Sequence, residues 1–315
     1  MKTGVIILNY RSSDDTIRLY REIESFPNLR RLVVDNSADP VEASRLKDSI
    51  PIGDLLFAPR NLGYAGGNNL GIRTLAGVDT RLKPESRQPQ NAEPGRTGTG
   101  QPRSDSDIDL IAILNPDISL SQNIFPLLRR CFEINPPLAA AGPRLCIREQ
   151  DQVIYSDGGI FRQGLFLRPG HLHSGMRVED VTDEDQPIDY VNGSFIVLRT
   201  EAIRQIGGFD EKFFLDSEEA DWCRRALAQG WDLEVQTHAV AWQQVSPKEE
   251  TFSYYFFRSW FLYLHLYDKR GIRPLFIHQM KKIKWLLQTR EIPLKRRLRL
   301  ARSRLQGVLA GTLNW

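Results

Sequence analysis

The sequence predicts an α/β fold, with a mostly parallel sheet flanked by helices and a basic helical segment at the C-terminal end. Short apolar runs alternate with polar segments of helical spacing, a pattern typical of parallel sheets covered by helices. With 315 residues, of which 41% are hydrophobic, the chain can bury one large core, or one core and a smaller C-terminal unit.

The elements can be placed in chain order. Residues 4–8 and 32–34 are predicted strands, and residues 14–26 between them carry apolar side chains at helical spacing, so the three form a βαβ unit. Strands over 55–57 and 108–114 extend the sheet, with a helix starting near Gly66 between them. Later elements are a helix over 122–133, hairpin-like strands over 153–175, a strand over 189–198 with Gly193 near its middle, and a helix ending at Gly230.

Two regions depart from this alternation. Residues 77–107 are rich in Pro and Gly and almost free of apolar side chains, which predicts a disordered or mobile insertion over about 78–107. This insertion interrupts a predicted domain spanning 1–246. The remaining segment, 247–315, is first aromatic and then basic, and it is too polar to span a bilayer.

The charge is divided unevenly along the chain. Residues 269–315 hold 13 Lys and Arg against one acid, a net charge of +12, whereas the remainder carries 29 bases and 38 acids, a net charge of −9. This division favours an anionic partner such as a phospholipid surface or a phosphate-bearing substrate. Nucleic acid has no supporting motif. Residues 294–308 suit an interfacial amphipathic helix, and equally a helix packed on the protein with a solvated basic face.

The three cysteines, Cys131, Cys146 and Cys223, are an odd number without CxxC spacing. This pattern argues against a disulfide framework and favours small core residues in a reducing compartment. The first residues lack the pattern of a signal peptide. We therefore expect a cytoplasmic protein, located at the inner face of the membrane if the basic segment binds lipid.

Polar side chains stand where predicted strands end. Asn9 closes the first strand, Asp35 the second, and Asn115 and Asp117 follow the fourth. Ligands of open α/β sheets bind at the carboxyl ends of the strands, so these residues are candidates for a binding site. A carboxylate such as Asp117 can bind a divalent cation that bridges a diphosphate. Taken singly, each motif is more often a turn or a helix cap.

Three further features point to the same edge. Residues 60–71 form a glycine-rich loop that passes into a helix, where Arg60 offers a cation, but they match neither a Walker loop nor the dinucleotide fingerprint. Gly193 indicates close approach by a ligand or another backbone, or a simple bulge. The acidic residues of 216–221 can cap a helix and still face a cleft.

Six motifs occurring in this order resemble glycosyltransferase family 2, and most closely its bacterial rhamnosyltransferase-type branch. They are IILNY at 6–10, VDNS at 34–37, NLGYAGGNN at 61–69, LNPD at 114–117, GGFDE at 207–211 and EEAD at 218–221. The resemblance covers about residues 2–246 apart from the insertion. It implies a GT-A type, Rossmann-like fold and an inverting hexosyltransferase that uses a nucleotide-diphosphate sugar.

The resemblance also implies roles for single residues. Glu219 would be the general base, Asp117 would bind a divalent cation (Mg²⁺ or Mn²⁺) and the diphosphate, and Asp35 would contact the nucleoside. The other donor-binding candidates are Asn9, Arg60, Gly66, Asn69 and Asn115, and those on the acceptor side are Gly193, Glu218 and Asp221.

Two departures from the family pattern affect these roles. The family usually has Glu-Asp-x-Asp where this chain has EEAD, so the implied base is one methylene longer. The family also commonly has a histidine near the position of Gln243, and an amide is a weaker metal ligand than an imidazole. Metal dependence is therefore open.

The expected function is transfer of a sugar to a hydroxyl of a cell-surface glycan or a lipid-linked acceptor in polysaccharide biosynthesis, with rhamnose from dTDP-rhamnose as a candidate donor. Peripheral membrane contact through 269–315 is expected, and nucleic acid is not an expected partner. The alternative is a catalytically impaired glycan- or nucleotide-binding subunit of the same fold, which the two departures motivate. A nucleotidyltransferase would need a basic glycine-rich loop after the first strand, which residues 9–13 lack.

Overall fold

The structure is a computed structural model that describes residues 1–88, 108–182, 186–245, 250–289 and 291–313. The strands are β1 Thr3–Asn9, β2 Leu29–Asp35, β3 Leu55–Phe57, β4 Leu110–Leu114, β5 Ile118–Ser119, β6 Leu138–Ile147, β7 Gln150–Ser156, β8 Gly159–Arg162, β9 Arg168–His171, β10 Phe195–Arg199 and β11 Asp232–Gln243. The α-helices are α1 Ser13–Glu24, α2 Pro40–Ser49, α3 Gly63–Ala76, α4 Phe125–Ile134, α5 Thr200–Ile206, α6 Glu218–Ala228, α7 Glu250–Tyr267, α8 Ile272–Gln288 and α9 Leu294–Leu313.

The main sheet has the strand order β3-β2-β1-β4-β10-β6-β11-β5, and β7 pairs with β6. The pairs β3–β2, β2–β1 and β1–β4 are parallel, as is β6–β11. Strand β10 runs antiparallel between β4 and β6, and β5 and β7 are also antiparallel to their neighbours. The predicted α/β sheet is confirmed. Its first four strands are parallel, and its second half is mixed.

The core forms because β1 is buried on both faces. All seven of its residues are buried, and α1 turns Leu19, Tyr20 and Ile23 toward the same core. Helix α3 approaches the sheet closely through Gly71, where a Cβ atom would lie 2.9 Å from the Cδ1 atom of Ile6. The predicted βαβ unit thus brings the carboxyl ends of β1 and β2 to one edge. The three cysteines are buried, as predicted for small core residues.

Two predictions about local structure are corrected. Residues 189–198 do not form one strand: β10 begins at Phe195, and Gly193 lies in the turn that leads into it. The predicted mobile insertion is ordered over 78–88, where Val78, Thr80 and Ser86 are buried. These side chains gain packing that composition does not reveal. Residues 89–107 lie outside the described part of the chain.

The chain divides into two compact units. The first contains Met1–Ile160, His171–Glu211 and Glu219–Val245, and the second contains Phe161–Gly170, Lys212–Glu218 and Ser246–Trp315. The second unit therefore includes two short segments from the predicted 1–246 domain. Among the described residues, no helix is long and apolar enough to cross a membrane.

Within the second unit, α9 packs on α7. A Cβ atom at Gly307 would overlap the Tyr254 carbonyl oxygen, so the two helices meet at close range. The apolar stripe predicted over 294–308 is split, because Val308 is buried while Leu294 and Leu298 are exposed. Both predicted uses of this helix, packing and an exposed amphipathic face, therefore have side chains available.

Candidate active site

The ends of β1 and β2 lie side by side, with Asn9 paired to Asp35 in the parallel register. Asp35 is buried, and its Oδ1 atom accepts hydrogen bonds from Asn9 Nδ2 and from the backbone N–H of Ser37, both at 3.0 Å. Its Oδ2 atom has no hydrogen-bond partner in the part of the chain that the structure describes. Asp35 can therefore still accept a hydrogen bond from a ligand at this edge.

Asn9, a predicted donor contact, is held by hydrogen bonds within the protein. The side chain is fully buried, and both ends of its amide are engaged. The partners are Asp35, Ser37 and Glu42 for Nδ2, and Ser12 and Thr16 for Oδ1. Both polar atoms of the Asn9 amide thus have partners that order this edge of the sheet.

The glycine-rich loop before α3 is held by Asn36. Its Nδ2 atom donates to the Asn61 Oδ1 atom at 3.1 Å and to the Gly63 carbonyl at 3.0 Å, while its Oδ1 atom accepts from the Leu62 N–H at 2.8 Å. Arg60 precedes this loop and is exposed, so its cation is accessible to an anionic ligand.

Gly66 and Asn69 in α3 act through packing and internal hydrogen bonds. A Cβ atom at Gly66 would lie 2.9 Å from the Leu62 Cβ atom, so a larger residue would displace the loop. Asn69 is buried, donates to the Phe209 carbonyl at 2.9 Å and to Glu211, and accepts from the Phe209 N–H at 2.9 Å. Through these contacts Asn69 ties the GGFDE motif to α3, and its donor-binding role stays a prediction.

Two arginines fix the backbone around Asp117. The Arg18 guanidinium donates to the carbonyl oxygens of Pro116 at 2.8 Å and Ile118 at 2.7 Å. Arg148 donates to the Asp117 carbonyl oxygen at 2.8 Å. Because these arginines hold three successive backbone carbonyls, they fix the backbone from which the Asp117 side chain extends.

The Asp117 carboxyl lies next to the side chain of Gln243. Burial raises the pKa of Asp117 above its ordinary value, and hydrogen bonds from its own backbone and from Gln243 act in the opposite direction. Gln243 reaches this position because β11 pairs with β5, in the register Gln243 to Ile118. The structure thus places the residue at the family's usual histidine position against the predicted metal-binding carboxylate.

This pair fits a divalent cation. Asp117 Oδ1 and Gln243 Oε1 are both buried and lack a hydrogen-bond partner among the described residues. Carboxylate and amide oxygens are the hard ligands that Mg²⁺ and related cations take. Within the same described residues, no group of three or more His, Cys, Asp and Glu side chains could hold a metal. A cation here would need further oxygen ligands from a substrate.

The predicted base Glu219 packs against Gly193. A Cβ atom at Gly193 would lie 3.3 Å from the Glu219 Cδ atom, so the absence of a side chain makes room for the carboxylate. The Tyr64 hydroxyl donates to the Gly193 carbonyl at 2.6 Å. Asn115 holds the next residue, since its N–H and Nδ2 reach the Ser194 carbonyl and hydroxyl at 2.9 and 3.3 Å. The Asn115 motif and Glu219 thus contact the same turn.

Asp221, predicted on the acceptor side, is engaged in ion pairs inside the protein. It is fully buried and forms ion pairs with Arg87 at 2.8 Å and with Arg225 at 2.9 Å. Arg87 also pairs with Asp210 at 2.8 Å. The charge of Asp221 is therefore compensated inside the protein, which gives it a structural role in holding α6. Glu218 is also buried, at the start of the same helix.

Sequence reasoning missed several residues that shape this site. Arg18 and Arg148 have no local signal, because their partners are brought to them by the sheet. Tyr64 and Ser194 lie inside motifs or beside Gly193, but only the folded turn shows what they contact. Gln243 was noted from its position alone, and its contact with Asp117 required the strand pairing.

No family model matches the chain. Two curated relatives share 28% identity with it. One is the low-salt glycan biosynthesis hexosyltransferase Agl10 of Haloferax volcanii, aligned over 239 residues, 73% of this chain and 63% of that protein. The other is the N-acetylglucosaminyl-diphospho-decaprenol L-rhamnosyltransferase of Mycobacterium tuberculosis, aligned over 213 residues, 64% of this chain and 61% of that protein. The chain thus spans less than two thirds of the length of these relatives.

Two solved structures share the fold over 98% of the chain. One is the mannosyltransferase PcManGT of Pyrobaculum calidifontis in complex with GDP-Man and Mn²⁺, with 13% identity, a TM-score of 0.50 and 73% of that chain covered. The other is GalNAc-T7 with UDP, GalNAc and Mn²⁺, with 8% identity, a TM-score of 0.61 and 54% of that chain covered.

The chain has the GT-A fold of glycosyltransferases. Its sequence relatives are a hexosyltransferase and a rhamnosyltransferase, and its motifs resemble the rhamnosyltransferase-type branch of family 2. The predicted fold and the predicted resemblance are both confirmed. The identity of the transferred sugar and the roles of single residues belong to the proposal below.

Proposed function

We propose that this protein is an inverting glycosyltransferase, which moves a sugar from a nucleotide-diphosphate donor to a hydroxyl of a cell-surface glycan or a lipid-linked acceptor. The observation that carries the proposal is the link between Asp117 and Glu219. Asn115, two residues before Asp117, holds Ser194, and the adjacent Gly193 contacts Glu219. The motif that carries the candidate cation-binding carboxylate and the candidate base therefore contact the same turn, at residues 193–194.

The donor side is assigned from the free polar atoms. The Oδ2 atom of Asp35 accepts a hydrogen bond from the nucleoside, and Arg60 offers its cation to the diphosphate. The oxygens of Asp117 and Gln243 would hold a divalent cation, for which a diphosphate could supply further oxygen ligands. When bound, such a cation supplies charge neutralisation for the departing nucleotide.

The acceptor side depends on Glu219. Its carboxylate takes the proton of the acceptor hydroxyl while that oxygen forms a bond to the anomeric carbon and the bond from this carbon to the diphosphate breaks. Attack from the face opposite the leaving group inverts the configuration in a single step. The position beside Gly193 supports this role, because the backbone there limits where the carboxylate can move.

The relatives suggest the kinds of partner. One relative is named as an L-rhamnosyltransferase for a diphospho-decaprenol acceptor, which supports rhamnose as a candidate sugar and a lipid-linked molecule as a candidate acceptor. A lipid-linked acceptor lies at a membrane. The proposal therefore includes a cytoplasmic protein whose residues 269–315 contact the inner face of the membrane. The net charge of +12 over these residues supports that contact.

A screen of nucleotide sugars tests the proposal. Donor binding and donor hydrolysis would be measured with Mn²⁺, with Mg²⁺ and with EDTA, followed by transfer to lipid-linked acceptors for each donor that binds. We expect one or a few donors to bind and to be turned over, with a gain from the cation. Nucleotide binding without turnover of any donor would support the impaired binding subunit instead.

A further inference from the structure

A pocket of about 640 Å³ opens within the second unit. The loop that joins β8 to β9 forms one wall, and the first half of α8 forms the other. The side chains that matter for its chemistry are Arg162, Leu165, Arg168, Ile277, His278 and Lys281. This volume is in the range of small-molecule sites.

The pocket is strongly basic. Arg162, Arg168 and Lys281 are exposed, and none of them forms an ion pair with a carboxylate in the part of the chain that the structure describes. Among the described residues that line the pocket, none is acidic. Burial lowers the pKa of His278, and the nearby cations Arg168, Lys282, Arg304 and Lys281 lower it further. An anion placed here would be attracted by several uncompensated charges.

The rim of the pocket is apolar. Leu165 is 81% exposed in the loop, and Ile277 is 45% exposed on α8. Ile277, Lys281 and Trp285 are four residues apart and therefore lie on one helix face, and Trp285 is 49% exposed. Large exposed apolar side chains beside cations are typical of a membrane interface, where Trp is enriched.

We propose that this pocket binds the phosphate headgroup of an anionic phospholipid at a bilayer surface. Arg162, Arg168 and Lys281 contact the phosphate, while Leu165 and Ile277 enter the boundary between headgroups and acyl chains. Charge complementarity selects this occupant, because the described lining holds Arg162, Arg168 and Lys281 and no acidic side chain, and a phospholipid surface can be anionic. The inference deepens the proposed membrane contact, but it is independent of sugar transfer, since vesicle binding needs neither donor nor acceptor.

Sedimentation with vesicles tests the site on the full chain. We expect binding to vesicles of phosphatidylcholine with phosphatidylglycerol and much weaker binding to phosphatidylcholine alone. The double variant R162Q/K281Q should lose about 25-fold in partitioning, since each cation near an anionic surface contributes about fivefold. The exposed pair R296Q/R302Q on α9 removes the same charge outside the pocket and should lose less than about threefold.

The apolar part of the site is tested separately. L165S should weaken vesicle binding by about fivefold, which corresponds to partial burial of one leucine. The matched variant I134S changes an exposed apolar residue that is 71% accessible in the first unit, and it should leave binding unchanged. Circular dichroism melting curves check that each variant is folded.

Four outcomes would overturn the inference. Equal losses in the pocket pair and in the α9 pair would mean diffuse attraction to the basic segment. Unchanged binding of R162Q/K281Q would exclude the pocket. Tight binding of soluble inorganic phosphate without vesicle binding would show that the pocket binds a free anion and not a lipid headgroup. Vesicle binding that requires a polyprenyl diphosphate and does not change with phosphatidylglycerol would show that the pocket binds the lipid-linked acceptor.

Discussion

Asn9 at the end of β1 and Asn69 in α3 differ in hydrogen bonding from Asp117, which follows β4, and Gln243 at the end of β11. Asn9 and Asn69 are buried with both ends of each amide engaged by the protein. Asp117 and Gln243 each keep a buried oxygen without a partner among the described residues. Satisfied amides stabilise a scaffold, whereas unsatisfied oxygens are costly and are retained where a ligand completes them. The difference separates the frame of the site from its chemistry.

The largest expected effect comes from replacing Glu219, the candidate base. E219Q removes the candidate base while keeping its size, so kcat should fall by about 10²–10⁴-fold with donor binding unchanged. Initial-rate kinetics and donor titration measure the two effects. The matched variant E201Q changes an exposed acid in the first turn of α5 and should retain activity. Similar rates for E219Q and wild type would contradict the assigned base.

Replacing Asp117 should have the next largest effect. D117N keeps the side-chain volume but removes the charge that would hold a cation, so kcat/KM should fall by about 100-fold. Addition of Mn²⁺ should then no longer raise the melting temperature. A variant that keeps its full response to Mn²⁺ would place the cation elsewhere.

The raised pKa of Asp117 makes cation binding depend on pH. Its cause is burial, which favours the protonated form, and a cation requires the carboxylate. As pH falls through this raised pKa, protonation begins at a higher pH than for an ordinary aspartate. Apparent Mn²⁺ affinity should then fall by about tenfold per pH unit. Calorimetry over a pH series measures this, and D117N should abolish the dependence.

A smaller change tests the contact between Gly193 and Glu219. In G193A the new methyl group would meet the Glu219 carboxyl, so that it shifts by a few tenths of an ångström and kcat falls by about tenfold. G53A is the matched control, because a Cβ atom there has no neighbour within 4 Å. Equal activity in both variants would show that the carboxylate is not held by this turn.

Replacing Asn69, whose amide is satisfied by the protein, should lower the stability of the fold and leave catalysis unchanged. N69A leaves the Phe209 N–H and carbonyl without their partner and should lower the free energy of unfolding by about 2 kcal/mol. The melting temperature should fall by roughly 5 °C. N135A, whose amide has one long bond of 3.4 Å, should change it far less. A large loss of donor affinity in folded N69A would return Asn69 to the donor site.

Sequence patterns predicted the parallel half of the sheet well. Apolar runs and helical spacing over 4–34 gave β1, α1 and β2 in order, because local periodicity decides these elements. The strand over 189–198 was wrong in its first half. Val191 is buried like a strand residue, yet the chain turns at Gly193 to make room for Glu219, and that contact is not local.

The candidate site was predictable in its ordered motifs and not in its hydrogen bonds. Asp117 is a candidate because it follows a predicted strand, Glu219 because of the family resemblance, and Gly193 because a glycine near the middle of a predicted strand indicates close approach. The protein contacts of Asn9 and Asn69 were not predictable, because the sequence does not distinguish an asparagine that binds a ligand from one that binds other parts of the protein. Asn69 and Phe209 are 140 residues apart.

The sequence by itself determined the α/β class, the order of the motifs and the concentration of positive charge in 269–315. These properties depend on side-chain type and short-range spacing, which the chain states directly. Only the tertiary structure decided which polar atoms are satisfied. It placed Gln243 against Asp117 through strand pairing and compensated Asp221 with two arginines. It also gathered Arg162, Arg168 and Lys281 in a pocket whose described lining holds no acidic side chain. Hydrogen bonding and charge pairing are contacts between distant residues, so they exist only once the fold brings them together.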